Sequence, residues 1–137
     1  MKARILVPLL LAAFIIPTAA TPSWACSCAP LSKEELADSA RVVFTGRVLE
    51  IDKNLYEHFV RFRVTKIYKG SVDRRAEVVT ASNSAACGCF FKEGQRYTVF
   101  ASNKREPLRT NLCSGTGKGA IDHEEWGLPP GHSPTES

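Results

Sequence analysis

The sequence predicts a mainly β fold, an antiparallel sandwich or barrel with short flanking helices, stapled by disulfides. Three observations carry that expectation. Between Arg41 and Ser102, apolar residues recur in alternating or short continuous runs rather than at helical spacing. Glycines and polar turn residues separate these runs at short intervals. All five cysteines, Cys26, Cys28, Cys87, Cys89 and Cys113, lie beyond an amino-terminal segment laid out for export.

That segment opens the chain. Lys2 and Arg4 supply a positive start, and Ile5 to Ile16 form a twelve-residue apolar run interrupted only by Pro8. A membrane span needs about 20 residues, so the run reads as the middle of a secretory signal peptide. Ser23-Trp24-Ala25 places small residues correctly for a cut after Ala25, which makes Cys26 the first residue of the product. Thr18-Ala19-Ala20 supports a competing cut after Ala20. A lipoprotein signal, with Leu or a similar residue where Ser23 stands, fits poorly. The 137 residues allow one domain rather than two. The expected layout is a signal peptide over 1–25, a folded domain over 26–115, and a short helix with a disordered tail over 116–137.

The expected product is a monomer without a membrane span, secreted to an extracellular or periplasmic space. Loss of Lys2 and Arg4 lowers the formal charge from +4 to +2, and the remaining charges are mixed throughout. No Lys/Arg cluster resembles a nucleic-acid footprint, so no nucleic-acid partner is expected.

The elements follow in order. Leu31-Ser32-Lys33-Glu34-Glu35-Leu36 carries a full helix-start signature: Ser32 caps, Glu35 reaches back, and Leu31 and Leu36 form a hydrophobic staple. A helix of about two turns should run to Ser39 and pack on the sheet. Arg41 to Ile51 is the first strand, with Gly46 at a bulge or close approach. In Glu57 to Tyr68, Val60, Phe62 and Val64 share one face and Arg61, Arg63 and Thr65 the other. Glu77 to Ala81 is a short strand. After a turn at Gly94, the strand from Gln95 to Ser102 sets Tyr97, Val99 and Ala101 against Arg96, Thr98 and Phe100. Closure into a barrel would protect the edges of so few strands. Residues 114–119 read as a flexible connector, 120–126 as one or two helical turns stopped by Gly127, and the last ten residues as disordered.

The cysteines read as disulfides, because oxidising compartments favour them and small cores need them. Cys26 and Cys28 are two apart and point the same way in an extended chain. Each therefore needs a partner among Cys87, Cys89 and Cys113. Two such bridges would close loops of roughly 60 to 85 residues, each contributing about 4 kcal/mol. Five is odd, so one thiol is left over or pairs with another chain. A four-thiolate metal site from Cys26, Cys28, Cys87 and Cys89 has unusually tight spacing. His58, His123 and His132 are scattered and read as solvated residues rather than ligands or bases. Trp126 reads as the residue that docks the terminal helix.

Taken together, several strings resemble the tissue inhibitors of metalloproteinases. They are Cys26-Ser27-Cys28-Ala29-Pro30, Val43-Phe44-Thr45-Gly46-Arg47-Val48, and Val64-Thr65-Lys66-Ile67-Tyr68-Lys69-Gly70. Cys87-Gly88 ahead of Phe91, Gly94 and Tyr97-Thr98-Val99, then Thr110-Asn111-Leu112-Cys113, extends the resemblance over residues 26 to 115. It implies a single netrin-like domain, a five-stranded OB-fold-type antiparallel barrel with flanking helices. It also implies the bridges Cys26–Cys87 and Cys28–Cys113, with Cys89 as a free thiol. Cys26–Cys89 stays open, because Cys87 and Cys89 would share one side of an extended segment. The animal inhibitors have a further bridge from the first helix region and a second disulfide-rich domain, and this chain has neither.

The resemblance further implies a non-enzymatic inhibitor of zinc metalloendopeptidases. In that family the first cysteine's α-amino group and carbonyl oxygen chelate the zinc of the target. The chain needs no cofactor of its own. Ser27 would enter the specificity pocket, and Cys28, Ala29 and Pro30 would continue the inhibitory edge. Ser84, Ala85 and Ala86 would lie alongside. A short hydroxyl side chain at Ser27 implies broad but modest inhibition. The alternative reading is a netrin-like binding or adhesion module with no need for a free terminus, and a third is a thiol-based metal or redox protein built around Cys89.

Overall fold

A computed structural model describes residues 25–103 and 106–135. The signal-peptide reading of 1–25 falls almost wholly outside them. The first helix, α1, spans Lys33–Ser39 and begins at a complete capping box. Ser32 Oγ accepts from the Glu35 amide at 3.2 Å, while the Glu35 carboxylate accepts from the Ser32 amide at 2.7 Å. The Ser32 amide bond to the carboxylate, and after it a hydrogen bond from the Ser32 side chain, hold the Glu35 carboxyl below its ordinary pKa. At the other end, Lys69 Nζ donates to the Ala37 and Asp38 carbonyls at 2.8 and 2.9 Å, satisfying orphan acceptors.

Six strands follow: β1 Val42–Lys53, β2 Glu57–Lys69, β3 Arg75–Ala81, β4 Arg96–Ala101, β5 Leu108–Arg109 and β6 Gly117–Lys118. They form one sheet in the order β5-β3-β2-β1-β4-β6, antiparallel except for the β3–β5 pair. The sheet curls into a half-barrel around the long central β1, which pairs with both β2 and β4. Register shifts at Thr45/Gly46 and Val48/Glu50 mark where β1 bends. Gly46 is needed there, because a Cβ would lie 2.9 Å from the Arg63 carbonyl and 3.3 Å from the Phe44 ring.

The core divides in two. Inside the curl, Phe44, Val48, Val60, Phe62, Val78 and Val99 are sealed from solvent. Phe62 stacks edge-on between Phe44 and Phe91, at centroid distances of 5.6 and 5.4 Å. On the outer side, Val43, Tyr68 and Phe100 pack under α1 and the C-terminal segment. Trp126 covers Phe100 at 4.6 Å.

Three local expectations change. Thr98 and Phe100, on the other face of β4 from Tyr97 and Val99, are buried as well, because that face is covered by α1 and the chain after Gly117. Thr98 bonds to Thr45 Oγ1 at 2.9 Å and to the Gly119 carbonyl at 2.8 Å. The connector contributes β6, and the helical turn shortens to a 3-10 turn, Glu124–Trp126, stopped by Gly127 at φ 62°. The tail does not dangle over its described length. Leu128 is buried, and His132 exchanges backbone bonds with Ile67 at 2.8 and 2.9 Å.

Candidate functional site

The segment from Ala25 to Leu31 has no regular structure and runs exposed, with only Cys26 half-buried. Two disulfides hold it. Cys26 is bonded to Cys87 and Cys28 to Cys113, with Cα separations of 5.3 and 5.2 Å. The sulfurs of Cys26, Cys28 and Cys113 lie within 4.8 Å of one another, so the two bridges are stacked side by side. Sulfur in a disulfide is not a thiolate, and the four-thiolate metal site therefore does not form.

The anchor points are themselves braced. Ser84–Ala86 forms a 3-10 turn whose amide at Ala86 donates to Asn83 Oδ1 at 2.9 Å. Cys87 ends that turn in the left-handed region, at φ 58°. Its carbonyl accepts from the Leu112 amide at 2.8 Å, which links the two bridge-bearing loops. Asn111 Oδ1 accepts from the Cys113 amide at 2.8 Å. Ser84, Ala85 and Ala86 are exposed next to the Cys26–Cys87 bridge, as are Ser27, Cys28 and Ala29. The result is a small-residue ridge on a braced base.

Gly88 is a structural necessity of this corner. A Cβ there would sit 2.1 Å from the Ala81 carbonyl oxygen and 2.9 Å from that of Asn83, both backbone atoms that cannot swing aside. Gly88→Ala is expected to destabilise the protein by about 3 kcal/mol or more. An unchanged denaturation midpoint would contradict this packing.

Cys89 is the free thiol, and it is buried. The left-handed turn at Cys87 breaks the extended path that would have kept the two cysteines on one side. The Cys89 amide instead donates to Thr80 Oγ1 at 2.9 Å and the side chain enters the interior. Burial pushes its pKa up to about 11, against smaller opposing effects of hydrogen bonds with Thr80 and Thr110. The group is a protonated, inaccessible thiol at neutral pH, unsuited to redox or metal chemistry. It should resist thiol reagents until the protein is unfolded. Between pH 9 and 11 the folded state keeps a proton that the unfolded state releases, so this group's contribution to stability falls as pH rises. Cys89→Ala should flatten that part of the stability–pH curve, and an identical curve would refute the assignment.

Two surface features were not visible in the sequence. The β1–β2 hairpin exposes Leu55 and Tyr56, and a groove of about 440 Å³ lined by Tyr56, Ala86 and Asn111 runs between that hairpin and the ridge. The other is a cross-strand row of arginines. Both depend on which residues the register and loops bring together. His58, His123 and His132 stand on β2, at the second 3-10 turn and in the tail, and form no common site. Among the described residues no helix is long and apolar enough to cross a membrane. Comparison with protein-family models gives no match, and comparison with curated proteins gives none.

Proposed function

We propose that the chain is an exported, monomeric, non-enzymatic inhibitor of zinc metalloendopeptidases, of the tissue-inhibitor type. The observation that carries this reading is the exposed Cys26-Ser27-Cys28 segment, tied to the sheet at both cysteines beside the exposed Ser84–Ala86 turn. A peptide bound at two points two residues apart has little freedom left to lose on docking, which favours affinity.

The strand order supports reading the half-barrel as a five-stranded netrin-like barrel of the OB type, with β6 as an addition. In that reading β3 and β5 run parallel, and the Ser102 amide bonds to the Arg109 carbonyl at 2.9 Å where the ends of β4 and β5 approach.

The chemistry requires a cut after Ala25. The freed α-amine has a pKa near 8, low enough to give up its proton to a metal at neutral pH. Amine nitrogen and carbonyl oxygen of Cys26 then form a five-membered chelate on the target's zinc. A catalytic zinc holds three protein ligands and a water, and that water is the activated nucleophile. Its displacement stops hydrolysis. Ser27 enters the specificity pocket with little bulk, and the Ser84–Ala86 turn supplies a second, low-profile contact.

The test pairs N-terminal sequencing and intact mass of the exported protein with inhibition of a zinc endopeptidase. A product that begins at Cys26 and inhibits supports the reading. A product that begins at Thr21, or one that begins at Cys26 and leaves a panel of such enzymes fully active, overturns it.

A further inference from the structure

The arginines of this chain are dispersed in sequence, and the register gathers four of them. Arg47 on β1 stands opposite Arg63 on β2 and opposite Arg96 on β4, while Arg63 stands opposite Arg75 on β3. The row therefore reads Arg96, Arg47, Arg63, Arg75 across four adjacent strands. All four are exposed, whereas the neighbouring row of Val48, Phe62 and Ala76 is buried, so the arginines occupy the solvent face. With strands about 4.8 Å apart, the row spans about 14 Å.

Like charges directly opposite one another on a sheet are destabilising. The next charged row avoids this: Glu50, Arg61 and Glu77 alternate in sign, and Arg61 pairs with Glu50 at 3.1 Å. The four-arginine row has no such relief. Among the described residues no carboxylate lies within ion-pair distance of Arg63, Arg75 or Arg96, and the Arg47 guanidinium donates to a neutral group, the Gly94 carbonyl, at 2.5 Å. A groove of about 380 Å³ meets the row at Arg63 and Arg75; Leu49, Ala76 and the balanced row of Glu50, Arg61 and Glu77 complete its lining, so the unrelieved positive charge lies on the arginine side of it.

We propose that this row is the docking site for a linear acidic polysaccharide, its carboxylate or sulfate groups pairing with successive arginines. Guanidinium forks bind such planar or tetrahedral anions through two parallel hydrogen bonds, which lysines cannot do. A straight row of separated cations matches a chain that carries its charges at intervals. Single-stranded nucleic acid sites interleave cations with aromatic platforms, and the exposed aromatics Tyr56 and Phe90 line other grooves. A membrane surface requires apolar anchors beside the cations, and Leu49 is the one exposed large apolar residue lining this groove. The choice of partner rests on the export reading of residues 1–25. The row itself rests on the sheet register and not on inhibition.

The test titrates the exported protein with polygalacturonate and with dextran sulfate at salt concentrations of about 50 and 300 mM. Binding is expected at low salt, weakened at least about tenfold at high salt, with a rise in melting temperature on saturation. Arg63→Gln combined with Arg75→Gln should weaken binding by about tenfold or more. Lys33→Gln removes one charge from α1, outside the row and its groove, and should change it by less than about twofold. Arg47→Gln combined with Arg96→Gln repeats the test from the other half of the row if circular dichroism shows the first variant unfolded. Absence of binding, equal losses in the Lys33 variant, or tighter binding to oligo-dT or to vesicles containing phosphatidylglycerol would each overturn the proposal. No protease enters these measurements, so their outcome is separate from that of the inhibition test.

Discussion

A protein that begins at Cys26 should inhibit its target zinc endopeptidase at least about 100-fold more tightly than the same protein retaining Ala25. That factor corresponds to about 2.8 kcal/mol. The two forms differ by one small, exposed residue, and the bridges of Cys26 and Cys28 are common to both. Their difference therefore isolates the α-amine. In the longer form that nitrogen is an amide, whose lone pair is delocalised into the peptide bond and makes a poor zinc ligand. Steric crowding by Ala25 against the metal adds to the loss. Acetylation of the Cys26 terminus should have the same effect for the same reason. Equal inhibition constants for the two forms would exclude chelation through the terminus while leaving other modes of docking open. Ser27→Leu serves as the companion measurement. It fills a specificity pocket that Ser27 leaves largely empty, and should sharpen preference among endopeptidases rather than abolish inhibition.

Removal of the Cys28–Cys113 bridge, by Cys28→Ser with Cys113→Ser, should lower the melting temperature by on the order of 15 °C. The bridge spans 85 residues, and in the chain-entropy treatment a loop of that size contributes about 4 to 5 kcal/mol. A domain of this size has only about 5 to 15 kcal/mol of net stability, so one bridge is a large share of it. Serine is tolerated at both places, since Cys28 is exposed and Cys113 half-exposed, and no buried hydroxyl offsets the result. The Cys26–Cys87 bridge spans 61 residues and should contribute nearly as much. Its loss has a second effect, because it frees the first residue of the ridge. The Cys26/Cys87 variant should therefore lose inhibition even at temperatures where it is folded. A melting temperature within a few degrees of the parent for either variant would contradict the stapling role.

The parts of the fold legible in the sequence are those decided within a few residues. The capping box at Ser32 and Glu35 is a four-residue signal, and the helix starts there. Period-two alternation located β2 and its buried face, because a strand with one wet side must alternate. Gly46 announced a bend in β1 because only a residue without a side chain fits against the Arg63 carbonyl. The disulfide habit of the chain is likewise compositional, and it marked Cys26-Ser27-Cys28 as a segment tied down at both cysteines.

Other features depend on what lies across space, and the tertiary structure alone decided them. Both faces of β4 are buried at Thr98 and Phe100, and alternation, which describes one strand, does not report the second layer packed on its far side. The tail read as disordered from its prolines and glycine, yet Leu128 finds a core site and His132 a free backbone edge at Ile67. Cys87 rather than Cys89 reaches Cys26 because a left-handed residue turns the chain between them, leaving Cys89 under Thr80. The arginine row exists only once four strands are in register, since residues 47, 63, 75 and 96 share no local pattern. Local chemistry determined what the first helix and the long strands would become, and long-range pairing determined the connector, the tail and which residues would meet.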